Sequence, residues 1–176
     1  VLSDAQTIVR NSVGVRRVLN RKSFHGYLKE KGHQGKTIEQ DKIVSLLQEC
    51  ANCRDQVLLL LLAETGFRIG ELLGVRYGED IDYKNHVIYV NFREDNENNA
   101  RAKNAEFRRA KISDATFDIL TFYIEEYKEL ILKQEYLFIN VSGDYAGKPF
   151  KVSGVYAMLR RLEEKTGIKA SPHMLR

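Results

Sequence analysis

A mainly helical fold with a small antiparallel β-sheet (α+β) is predicted by three features of the 176 residues. Leu and Ile are plentiful and Pro occurs only twice, which leans toward helices. Apolar residues recur at helical spacing in several stretches, whereas only short runs alternate with the period of a strand. The length suits one domain with a sizeable core and an additional arm. No apolar run approaches the ~20 residues of a membrane span.

Residues 1–36 lack sustained apolar periodicity, although Ile8, Val13, Val15, Val18 and Leu19 suit a short helix. Gly26, Gly32 and Gly35 interrupt a basic, polar run that reads as an extended linker. Net charge is +4 but unevenly placed: this segment carries eight Lys/Arg against Asp4 and Glu30, a balance of +6, leaving −2 elsewhere. Such an arm suits a polyanion, with Arg16, Arg17, Arg21 and Lys22 lying along phosphates. A merely solvated linker has the same composition, and charge alone does not choose between them. The start at Val1, without Met or a charged-then-apolar leader, suggests a piece of something longer.

The compact domain is expected to begin at Thr37. Thr37-Ile38-Glu39-Gln40 has the T-x-x-Q form of a capping box, and Ile43, Leu46 and Leu47 continue a helical stripe. Cys50 and Cys53 form a C-x-x-C, but no further ligands stand at zinc spacing and a helix, not a strand, precedes them. They read as reduced residues at a helix end in a cytoplasmic protein. Val57 to Ala63 is apolar almost all round, as in a buried helix, and Thr65-Gly66 stops it with a left-handed cap. A second helix restarts at once. Ile69, Leu72 and Leu73 face the core, while Arg68 and Glu71 share another face three residues apart. Arg68 is thereby held at the mouth of a buried turn, although an arbitrary R-x-x-E is most often a surface ion pair.

His86 to Arg93 alternates and is rich in Val, Ile, Tyr and Phe, predicting a strand, and Glu106 to Ser113 predicts its partner. The polar segment 95–105 between them is longer than an ordinary hairpin loop, a length that tends to be functional. Asp114 to Lys133 is expected to form one long helix with Phe117, Leu120, Ile124, Tyr127 and Ile131 on one face. Tyr136 to Val141 suits a short third strand. Gly143 to Lys148 lacks the glycine spacing and terminal Ser/Thr of a phosphate-cradling loop. Val152, Val155, Tyr156, Leu159 and Leu162 mark another amphipathic helix, ended by Gly167. Ser171-Pro172 is a helix-start signal, which puts His173 and Arg176 three apart on a first turn that favours an anion.

The order Arg68-x-x-Glu71, Lys103 in a hairpin loop, then His173-x-x-Arg176 resembles the catalytic domain of tyrosine recombinases, the phage-integrase family. AETGFRIGELLG is similar to the family's first arginine box, Arg101-Ala102-Lys103 to its β-hairpin lysine, and PHMLR to its second box. The wording is most similar to integrases of bacterial transposons and other mobile elements. The resemblance covers 37–176 and implies a catalytic domain there, with 1–36 as an interdomain linker.

That resemblance implies a site-specific recombinase acting on double-stranded DNA, without metal or cofactor, together with other protomers in a tetrameric synapse in the bacterial cytoplasm. Arg68 and Arg176 would clamp the non-bridging phosphate oxygens, a task suited to an obligate, bidentate cation. His173 would donate a hydrogen bond or carry a proton, Glu71 would order the site, Lys103 would protonate the leaving 5′-hydroxyl, and Arg101 would contact DNA. The family's nucleophile is a tyrosine that forms a 3′-phosphotyrosyl link, so resealing needs no ATP. All nine tyrosines here precede His173, whereas the family's follows the second box, so the nucleophile is expected outside this chain. Two rivals share the clamp: a non-catalytic DNA-binding regulatory module and a type IB topoisomerase-like enzyme. A helical interaction protein with accidental motifs is a third.

Overall fold

The computed structural model describes residues 5–10, 16–21, 38–94, 96–98 and 107–175. The first two segments are strands β1 (Ala5–Arg10) and β2 (Arg16–Arg21), paired antiparallel from Ala5↔Arg21 to Arg10↔Arg16. The expected short helix is therefore corrected in this region to a pair of antiparallel strands, and the linker expected after it falls on residues outside the described ones. Thr7, Ile8, Val9 and Val18 are β-branched and favour extended backbone, and pairing gives each strand the backbone partners that a lone extended segment lacks.

Helix α1 (Gln40–Gln48) starts one residue after Glu39, which has extended backbone angles and makes no side-chain cap. The capping box is thus displaced: Gln40 lies inside the helix, and Thr37 is outside the described residues. The stripe itself is as expected, with Ile43, Leu46 and Leu47 buried together with Val44. Helix α2 (Cys53–Thr65) is the centre of the fold. Asn52 caps it by accepting from the Asp55 N–H at 3.0 Å, and Val57 through Leu62 are essentially inaccessible. It packs beside α1 and beside α4 (Asp114–Glu126). Gly66 ends it with φ 66°, its N–H donating to Leu62 O, which is the predicted left-handed cap. Three residues later α3 (Ile69–Leu73) begins.

Three short strands form the sheet, β3 (Ile81–Asp82), β4 (Val87–Val90) and β5 (Arg108–Lys111), antiparallel in that order. Ile88 and Val90 are buried, and Ala110, opposite Ile88, packs against the same core. The third strand is β3, not the expected 136–141, which contributes only the isolated bridges Arg76↔Tyr136 and Ile139↔Pro149. Tyr136 through Ile139 are all buried, so they form a core segment instead. Its backbone is satisfied irregularly: Leu137 N–H donates to Val75 O at 2.8 Å, and the buried Tyr123 hydroxyl donates to Leu137 O at 2.9 Å.

The expected helix 114–133 breaks at Tyr127 (φ −111°, ψ 22°) into α4 and α5 (Lys128–Ile131). A run rich in Phe, Tyr, Ile and Thr has modest helical preference, so packing decides its path. Helix α6 (Val152–Thr166) ends on Gly167 at φ 70°, as expected. Its buried face is Val155, Met158, Leu159 and Leu162. Tyr156, assigned to that face, is exposed instead; an i, i+3, i+4, i+7 stripe from Val155 selects Met158.

Gly154, in the first turn of α6, shows how close this packing is. A Cβ there would overlap the buried Phe150 ring, over which the Arg54 guanidinium also lies, 3.8 Å from the ring centroid. Ala normally gains ~1 kcal/mol over Gly in a helix, but overpacking costs about 1–3 kcal/mol. Gly154→Ala is therefore expected to lower the melting temperature in thermal denaturation. A rise would show that Phe150 moves aside freely.

Candidate active site

The turn after α2 sets Arg68 at the N-cap of α3, with Phe67 buried before it and Leu72 and Leu73 buried after it. Ile69, the other expected core residue, packs partly buried against the same cluster. Glu71, the third residue of this helix, is buried and reaches back. Its Oε2 accepts from the Arg68 backbone N–H at 2.7 Å, and its Oε1 from Arg68 Nη1 at 3.0 Å. The predicted Arg68–Glu71 pair is therefore not a surface salt bridge: its carboxylate side chain is 3% exposed and its guanidinium 36%.

A residue that the sequence reasoning missed completes this cluster. Arg108, on β5, donates Nη1 to Glu71 Oε2 at 2.7 Å and lies with its Cζ 5.2 Å from the Phe67 ring centroid. One carboxylate thus serves two guanidiniums, leaving a net positive charge with both cations about one-third exposed. That is a charge-assisted arrangement suited to a dianionic or monoanionic oxyacid. The signal was present: Arg108 has the same strand parity as Ala110 and Ile112, so it faces inward from an alternating strand.

The start of the connection from β4 to β5 is fastened to the rest of the domain. Asp80, fully buried, accepts from Asn91 at 2.6 Å, from the Arg76 N–H at 2.8 Å, and from both Arg93 Nη atoms at 2.7 and 2.8 Å. Burial pushes the Asp80 carboxyl up, but these hydrogen bonds and the Arg93 charge outweigh it and hold the group below its ordinary value. Farther along, the Glu97 N–H donates to Tyr136 Oη at 2.9 Å. Asn98 is buried and donates to Leu73 O at 2.8 Å and Phe150 O at 3.1 Å. This limb is pinned where α3 ends and α6 begins.

Lys103 and Arg101, on the same connection, lie outside the described residues, as do Arg176 and Lys22. Arg16, Arg17 and Arg21 fall in β2. His173 is exposed in a single turn, where Ser171 O accepts from the Met174 and Leu175 N–H groups at 3.0 and 3.3 Å. The Ser-Pro signal thus yields a first turn. Leu175 is buried, and Ile38 N–H donates to Met174 O at 3.0 Å, tying this turn to the entrance of α1. Among the described residues no hydrogen bond or ion pair joins His173 to Arg68 or Glu71.

Cys53 is buried and its thiol is pushed up to about 12, first by burial and then by the Glu126 charge. It is therefore inert as a nucleophile near neutral pH, and the Cys50 Sγ donates to Leu46 O at 3.3 Å. Among the described residues no cluster of three or more His, Cys, Asp or Glu is placed to hold a metal, and no helix is long and apolar enough to cross a membrane.

Comparison with known proteins places the chain in a family. Residues 36–176 match the model of the phage integrase family. Transposase A from transposon Tn554 of Staphylococcus aureus is 35% identical over 150 residues, covering 85% of this chain and 41% of that protein. The chain thus spans less than half the length of this relative. The crystal structure of XerA recombinase aligns over 79% of this chain and 47% of its own, with TM-score 0.62 and 24% identity. The Tn1549 transposon integrase, solved in complex with transposon right end DNA, aligns over 84% of this chain and 52% of its own, with TM-score 0.59 and 17% identity. These two share the mainly helical fold with its small antiparallel sheet. With the family model covering all but the N-terminal segment that holds the β-hairpin, the chain belongs to the phage integrase family, the tyrosine recombinases.

Proposed function

We propose that residues 37–176 are the catalytic core of a site-specific DNA recombinase that cleaves and rejoins strands through a 3′-phosphotyrosyl intermediate, and that 1–36 is its basic approach segment. The observation that carries this is the buried Glu71 carboxylate holding the Arg68 and Arg108 guanidiniums at a rigid turn. Within the family match, Arg68 neutralises charge developing on the scissile phosphate, where a fixed donor acts with no reorganisation at the moment of reaction. Arg176 is assigned the opposite side of the phosphate and His173 a hydrogen bond to it. Lys103 protonates the leaving 5′-hydroxyl, an acid contribution of roughly 10²–10⁴-fold. The attacking tyrosine is assigned to a segment after residue 176.

Double-stranded DNA, other protomers on it and the bacterial cytoplasm are the setting this activity implies. Relatives bearing the names recombinase, transposase and integrase favour strand exchange over topoisomerase-like relaxation or a non-catalytic module. The test is covalent trapping on nicked suicide DNA. Residues 1–176 alone are expected to form no adduct, and the chain extended through the downstream segment is expected to form one that is alkali-stable and peptide-linked through tyrosine. An adduct on any of the nine tyrosines present here would overturn the placement of the nucleophile.

A further inference from the structure

Strand β5 carries cations on both of its faces. Arg108 turns inward to Glu71, while Arg109 and Lys111, on the opposite parity, are exposed. The register sets Arg109 opposite Tyr89 and Lys111 opposite Val87, so these four share the outer face of the sheet. Phe107 enters β5 on that same parity. It is 63% exposed and stacks on the Tyr89 ring, with centroids 5.8 Å apart and planes at 27°. Among the described residues neither Arg109 nor Lys111 forms an ion pair. Asp82 is the only acid within the three strands. Its carboxylate is taken up by the Lys84 and Asn85 N–H groups at 3.1 Å and by the Asn85 amide at 2.7 Å.

We propose that this outer face is a landing surface for single-stranded DNA, the unpaired 5′-ended stretch that strand cleavage frees. The source of that strand rests on the recombinase reading above. Two unpaired cations fit any polyanion, and the aromatic pair narrows the choice. Bases within a duplex already stack on one another and offer no face to a protein ring, whereas an unpaired base does. An acidic peptide brings charge but no π-face. Exposed rings on a sheet beside Arg and Lys suit two or three unpaired bases with their phosphates. Phe107, Arg109 and Lys111 recur every ~6.8 Å along the strand, so ring and charges lie in one row. The reaction supplies such a ligand, because the strand with the 5′-hydroxyl must leave its old complement before it is rejoined elsewhere. β5 is also the last strand of the sheet, so one strand edge separates the Arg108 face from the Arg109 face.

The test is fluorescence anisotropy on the full-length protein, with fluorescein-labelled oligo(dT) compared with a duplex of the same length. Phe107→Ala is expected to weaken oligo(dT) binding about tenfold and duplex binding less than about twofold. The double substitution Arg109→Gln with Lys111→Gln is expected to lower the salt slope for oligo(dT) by about 1.4, at about 0.7 for each phosphate released.

Unchanged oligo(dT) affinity in Phe107→Ala would overturn the proposal. Equal losses on both DNAs would overturn it as well, by showing an ordinary duplex contact. So would polyglutamate that displaces oligo(dT) at equal charge concentration, since charge alone would then suffice. Should Phe107→Ala lose its thermal unfolding transition, Phe107→Leu, which keeps apolar bulk without a π-face, takes its place with the same expected loss. Covalent trapping on suicide DNA separates the two readings. An adduct without oligo(dT) binding would remove the surface alone, whereas the expected oligo(dT) losses without an adduct would keep the surface and remove the recombinase reading.

Discussion

Arg68→Ala in the full-length protein is expected to slow single-turnover strand cleavage about 10²–10³-fold, the loss seen when one preorganised oxyanion donor is removed. Its stability should barely change, and the geometry says why. The Arg68 backbone N–H survives in alanine, so Glu71 keeps that donor and Arg108 Nη1. What disappears is one of the two guanidinium partners of Glu71, and Arg108 still compensates the buried carboxylate. A melting temperature near wild type combined with a collapsed cleavage rate is the signature of a residue that acts on the transition state. Cleavage within tenfold of wild type by a folded Arg68→Ala protein would remove Arg68 from the phosphate site.

The opposite division is expected at Asp80. Asp80→Ala strands Arg93, Asn91 and the Arg76 N–H around a site that has no exposure to solvent. Removing one partner of a buried ion pair costs about 3–5 kcal/mol, a large part of the roughly 5–15 kcal/mol that holds a domain together. Urea titration measures it. Because the Asp80 carboxyl is held below its ordinary value in the folded protein, its contribution carries a pH signature. That stability is fully present above the unfolded value of about 3.9 and is lost as pH falls through the lower folded value. The stability gap between wild type and Asp80→Asn should therefore narrow in the acid range. A gap unchanged from neutral pH to below that range would show that the charge contributes nothing.

What could be read from sequence was what is local. The apolar run of α2, the Gly66 cap, the restart at α3 and the i, i+3 pairing of Arg68 with Glu71 all lie within one stretch of chain, and each appears in the structure. The third strand was misplaced because 136–139 and 81–82 differ in burial and partners, which are set by the rest of the fold. The N-terminal hairpin was missed because its alternation is blurred by Arg and Asn at mixed positions. The partners of Arg108 and Asp80 were not legible for a related reason. They stand 37 and 13 residues away, and no local period records such a match. A charged residue on the inward parity of a strand is the trace that such long-range pairing leaves.

The hydrogen bond from Ile38 to Met174 has a mechanical consequence. A pull applied between the chain entering at residue 38 and the chain leaving at residue 175 does not run through the helices, because both ends load the same spot. It meets one backbone hydrogen bond and the seat of Leu175, with α2 and the Glu71 cluster off the line of force. The first element to yield under tension is therefore the turn that carries His173, and it can peel away while the guanidinium pair stays assembled.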